Sequence, residues 1–135
     1  MKPKQVGQIF WLVIPFLNKK KWTYARPFLV YRVVNDVDYI LLKISNTLKG
    51  YIPQFEFSLS NKPSTLYKKD KKSFVDPNIL VYIKHELFSC KIDEIVGMEQ
   101  GQHVLKEDFD DIRKKVKYCF SNEKFRGNRY EVRVI

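Results

Sequence analysis

The residues best suited to chemistry on a phosphate lie at the ends of apolar runs. Arg26 precedes Pro27, whose fixed φ holds the chain rigidly at the entrance to the run Phe28–Val34. Ser45, Asn46 and Thr47 directly follow the run Tyr39–Ile44 and offer hydroxyl and amide groups of the kind that hold a phosphate. Asn35-Asp36-Val37-Asp38 separates the two runs and is a turn signal, so the runs read as a hairpin. In a hairpin the start of one strand lies beside the end of the other. Arg26 and Ser45 are therefore expected at one rim, where a guanidinium beside a hydroxyl can stabilise charge on a phosphate in a transition state. On residue types alone, a surface ion pair at Arg26 and a simple turn at Ser45–Thr47 explain the same pattern more economically.

Other chemistries are poorly served. His85, Cys90, His103 and Cys119 are scattered and lack the paired spacing of zinc ligands, so no metal site is expected. His85-Glu86 has no second histidine in helical register, and no glycine-rich phosphate loop is present. Cys90 with His85 or His103 would make a nucleophile pair, but a lone cysteine among apolar neighbours more commonly packs in a core. No cofactor is called for.

These residues need a scaffold, and the chain supplies elements for one. Ile9–Phe16 is an apolar run closed by Pro15 and reads as a first strand. Gly50–Leu59 alternates Tyr51, Pro53, Phe55 and Phe57 with Gln54, Glu56 and Ser58, the pattern of a half-buried strand. Asn61–Ser73 reads as a Lys-rich loop, Asn78–Ile83 as a strand, and Cys90–Val96 as a strand or a short helical turn. Phe109, Ile112, Val116 and Phe120 form one apolar stripe on a helix starting near Leu105. Acidic residues load its N-terminal end, and Arg113, Lys114, Lys115 and Lys117 are expected at its C-terminal end, each sign where the helix dipole favours it. Arg129–Ile135 alternates again and reads as a final strand at a sheet edge. The expectation is a mainly β (α+β) fold: a small, mostly antiparallel barrel or curled sheet with one late helix and a short extra tail strand. Residues 1–120 would form the barrel domain and 121–135 the tail.

Composition sets the bounds. With 135 residues, 44% hydrophobic and 30% charged, the chain suits one globular domain with a real core. The basic, polar start and the lack of a small-residue cleavage site give no reason to expect a signal peptide, and no apolar run is long enough to cross a bilayer. Two cysteines fit a reducing cytoplasm. The net charge of +10 is uneven: Met1–Val75 holds 14 Lys and Arg against 4 Asp and Glu, whereas Asp76–Ile135 holds 11 of each. Lys19, Lys20 and Lys21 form one cluster, and Lys68, Lys69, Lys71 and Lys72 another. Such a basic half favours polyanions, or else is a solvated Lys-rich face. Trp22 and Tyr24 in the first basic loop can act as base-stacking platforms or as an aromatic cover over the barrel mouth.

The order of these residues resembles the MazF/PemK family of toxins from bacterial toxin–antitoxin modules. Gly7-Gln8-Ile9 is similar to the family's opening, and Arg26-Pro27-Phe28-Leu29-Val30 to its Arg-Pro-x-x-Val strand start. Lys43-Ile44-Ser45-Asn46 sits where the family has a strand ending in Thr or Ser, and Ser73-Phe74-Val75-Asp76 resembles the start of its next core strand. Lys91-Ile92 through Leu105–Phe109 resembles its closing portion. The likeness spans about Val6 to Cys119. The family's arginine a few residues after the acidic position is absent, and Pro77-Asn78-Ile79-Leu80 stands there instead.

The resemblance implies an SH3-like barrel, a homodimer, and metal-independent cleavage of single-stranded RNA by 2′-hydroxyl attack, leaving a 2′,3′-cyclic phosphate. It implies Arg26 as the catalytic cation and Ser45 as the hydroxyl positioning the phosphate, with Asn46 and Asp76 beside the site. Lys19, Lys20, Lys21, Trp22, Tyr24 and Thr47 would complete the RNA contacts. The partner of such a toxin is an antitoxin, acidic and partly disordered to suit the basic face. The alternative implied by the wider superfamily, which includes CcdB, is a barrel that binds nucleic acid or inhibits gyrase without cleaving.

Overall fold

A computed structural model describes residues 4–14, 25–45, 55–57, 73–93, 95, 97–121 and 130–134. The elements run β1 (Gln8–Leu12), β2 (Arg26–Val34), β3 (Asp38–Ser45), β4 (Phe55–Phe57), β5 (Ser73–Ile83), α1 (His85–Asp93), β6 (Gln102–His103), α2 (Lys106–Ser121) and β7 (Tyr130–Val134). The protein is mainly β, with a curled, mostly antiparallel sheet and two helices. The strand order is β4-β5-β3-β2-β1-β6, and β7 pairs with β5 beside this path.

Alternation along the strands buries both faces of the sheet. Ile9, Leu29, Leu42, Ile44 and Val75 face α2 and pack with its Phe109, Ile112 and Val116. Phe10, Phe28, Tyr39, Leu41 and Val81 face the other way, toward Phe88 of α1. Each helix therefore seals one apolar face.

The β2–β3 hairpin forms as its sequence predicts. Asn35 and Asp36 take positive φ values of 53° and 59°, and the Val37 N–H donates to the Val34 carbonyl at 3.1 Å. Asn and Asp tolerate this left-handed geometry better than most residues, and it matches the twist of paired strands.

Four features differ from the sequence expectation. In the segment read as a strand or a short helical turn over Cys90–Val96, Cys90–Asp93 is helical and forms the end of a nine-residue helix, α1, that starts five residues earlier at His85. Leu87, Phe88 and Ile92 pack it onto the sheet, so tertiary burial holds the helix. Strand β5 begins at Ser73, not Asn78. Its register against β3 slips between Leu42 and Lys43: Leu42 faces Leu80 while Lys43 faces Asp76. Pro77 sits in that bulge, where its missing N–H costs no ladder bond, and a proline inside an apolar run looks like a strand boundary. Helix α2 continues to Ser121 and has no basic residue in its last turn. The cations from Arg113 to Lys117 thus lie mid-helix, beyond the reach of the C-terminal dipole, while Glu107 and Asp108 do occupy the favourable first turn. Finally, β7 is parallel to β5, unlike every other pairing.

Among the described residues no helix is long and apolar enough to cross a membrane.

Candidate functional site

The hairpin register brings the candidate residues to one end of the sheet. Phe28 pairs with Lys43, and Lys43 pairs with Asp76. Carried two residues further, the β2–β3 register sets Arg26 opposite Ser45, which in turn pairs with Phe74. Two cross-strand rows result: Phe28, Lys43 and Asp76 in one, and Arg26, Ser45 and Phe74 in the next. Residues two apart on a strand share a face, so all six lie on the α1 side of the sheet. Directly opposed residues have Cβ atoms roughly 4.5–5.5 Å apart, which puts Arg26 within reach of Ser45 and Lys43 within reach of Asp76.

The local sequence explains this placement. Arg26 is the first residue of β2, opposite Leu12 on β1, and its Nε atom is buried. Pro27 lies opposite Trp11. The β1 strand is held there by Gln100, whose amide accepts from the Trp11 N–H at 2.7 Å and donates to the Trp11 carbonyl at 3.0 Å. Asp76 is only 4% exposed. A buried carboxylate is tolerated only with compensating charge or hydrogen bonds, and the register sets Lys43 directly opposite it. Arg26, Lys43, Ser45 and Asp76 each have an interaction partner in the fold.

Of the residues singled out from the sequence, Arg26, Ser45 and Asp76 are thus brought together. Lys19, Lys20, Lys21, Trp22, Tyr24, Asn46 and Thr47 lie outside the described residues. Their points of attachment do not: the chain leaves for the first basic segment after Ile14 and returns at Ala25, next to Arg26, and the second basic segment joins Phe57 to Ser73, which are paired neighbours. Both Lys-rich connections therefore start and finish at the end of the sheet that carries the two rows. Lys43 was not anticipated. Its spacing of two from Ser45 on a strand was the available signal.

The alternative chemistries find little here. Among the described residues no group of three or more His, Cys, Asp and Glu could hold a metal ion. His85 Nδ1 lies 2.8 Å from the Tyr39 hydroxyl. Cys119 is buried in α2, where burial pushes its thiol pKa up, and Cys90 is exposed.

No family model matches the chain, and no curated protein matches it either.

Proposed function

We propose that the chain is a toxin of the MazF/PemK kind, an SH3-like barrel that cleaves single-stranded RNA without a metal. The observation that carries this reading is the register that pairs Phe28 with Lys43 and Lys43 with Asp76 and that, extended by two residues, sets Arg26 across from Ser45. In the reaction, the ribose 2′-hydroxyl gives up its proton to solvent as its oxygen attacks the adjacent phosphorus, and the bond to the 5′-oxygen breaks. The products are a 2′,3′-cyclic phosphate and a 5′-hydroxyl, to which a proton is delivered. Arg26 stabilises the charge that develops on the phosphoryl oxygens and can supply that proton, and Ser45 donates to a phosphoryl oxygen and fixes its position. Asp76 and Lys43 maintain the electrostatic setting of the arginine. Both basic connections attach at the same end, where a polyanion would be drawn in. Such a toxin works as a homodimer and is neutralised by an acidic antitoxin that competes for the basic face.

The second reading is nucleic-acid binding, or gyrase inhibition, without cleavage. One observation favours it: Pro77 occupies the bulge directly after Asp76, where the family pattern carries a further arginine.

One assay separates the two. Purified protein is incubated with a long single-stranded RNA in EDTA, alongside Arg26→Ala, and the product ends are mapped. Discrete cuts bearing cyclic phosphates that vanish in the variant are expected. An RNA that is retained but intact transfers the weight to the binding reading.

A further inference from the structure

On the α2 side of the sheet, β2 and α2 enclose a cleft of about 490 Å³. Tyr31, Arg32 and Val33 form one wall, and Phe109, Arg113 and Lys117 form the other. The β2 wall depends on an irregularity. Val30 pairs with Leu41 and Arg32 with Ile40, so Tyr31 is an extra residue. Strict alternation would send Tyr31 and Arg32 to opposite faces, whereas the bulge lets both line the same cleft. On α2, Phe109, Arg113 and Lys117 recur every four residues and form a stripe beside the buried one.

Three of the residues lining this cleft are cations and none is acidic. Among the described residues Arg32, Arg113 and Lys117 have no ion-pair partner, although one stripe over Lys115 pairs with Asp111 at 2.7 Å. The helical neighbours of Lys117 at three and four residues are Arg113, Lys114, Phe120 and Ser121, none of them acidic. Like charges at this spacing destabilise a helix. Two guanidiniums also converge on one half-buried phenol: burial raises the Tyr31 pKa, while Arg113 and Arg32 pull it back down. Val6 and Phe109 add apolar surface to the same cleft.

We propose that this cleft binds a phosphomonoester attached to an apolar or aromatic body the size of a single nucleotide. A phosphomonoester carries about −1.5 to −2 charges at neutral pH, which suits three cations. Its oxygens match the forks of two arginines, with the Tyr31 hydroxyl as a further donor. The volume lies in the range of small-molecule sites, and Val6 and Phe109 offer apolar surface to the body of the ligand. This site lies on the face of the sheet opposite Arg26 and does not depend on the RNA-cleavage reading.

The test is calorimetric titration of the full chain at low ionic strength with adenosine 5′-monophosphate, adenosine and inorganic phosphate. Adenosine 5′-monophosphate is expected to saturate one site, with adenosine at least about tenfold weaker and inorganic phosphate competing. The double variant Arg113→Gln/Lys117→Gln should lose at least about tenfold in affinity, because two charge-assisted contacts go. Lys114→Gln, exposed on α2 outside the cleft, should bind as the wild type does. Circular dichroism of the double variant checks that the fold is kept. Equal binding of adenosine and its monophosphate, unchanged binding by the double variant, or no saturation at millimolar ligand would each overturn the proposal.

Discussion

The Tyr39 hydroxyl lies 2.8 Å from His85 Nδ1, joining the middle of the sheet to the first residue of α1. The same oxygen accepts from the Lys4 N–H at 3.0 Å. One fully buried side chain thereby ties down the chain ahead of β1 and the start of a helix. Tyr39→Phe removes both bonds with little change of shape. A loss of roughly 1–3 kcal/mol is expected, with an unchanged denaturant slope, because two polar groups lose their partner. Urea unfolding checks this, and an unchanged midpoint would show that water replaces the phenol at no cost.

Gln100 contributes to the β1 edge where the backbone ladder has ended. Its side chain satisfies both polar groups of Trp11, next to the strand end facing Arg26. Gln100→Ala should cost about 1–2 kcal/mol, and Gln100→Glu should lose the bond to the Trp11 carbonyl. Thermal melts followed by tryptophan fluorescence would report both changes. Equal stability of all three proteins would refute the clamp.

The two cysteines should separate cleanly by reactivity. Cys90 is exposed on α1, whereas Cys119 is buried and its pKa is raised by desolvation. Iodoacetamide under native conditions should give a single adduct, on Cys90. A second adduct appearing at the same rate would mean that the C-terminal half of α2 opens freely.

Tyr31 makes a pH prediction with a definite sign. Its folded-state pKa lies above the ordinary 10.0, first through burial, partly offset by Arg113 and Arg32. The folded state therefore holds this proton more tightly than the unfolded chain does. The resulting stability is fully present below pH 10 and is lost as the pH rises through the raised value. Tyr31→Phe should fall less steeply than the wild type above pH ~10. Parallel curves would remove the phenol from the alkaline transition.

How far the sequence reveals this molecule depends on where local and tertiary forces agree. The β2–β3 hairpin is legible because alternation and turn chemistry point the same way, and the Arg26–Ser45 juxtaposition follows from it. Helix α1 is not legible, because Phe88 and Ile92 make a helix only against the apolar face they cover. Strand β5 is split in the sequence by Pro77, although the bulge carries the strand straight past it. The same bulge hides the position of Asp76: its register against Lys43 cannot be counted from the turn.

The parallel strand β7 has a consequence for solubility. It covers β5 over Ile79–Ile83, an unbroken run of Ile, Leu, Val, Tyr and Ile, while β4 covers Ser73–Val75 on the other side of Pro77. An uncharged stretch of this kind, with an open backbone edge, is a template for cross-chain stacking. Tyr130–Val134 occupies that edge with a strand carrying Glu131 and Arg133. The tail strand therefore acts as a gatekeeper, and a chain shortened before Tyr130 would keep its helices and its rim residues yet expose the segment most prone to fibril-like association.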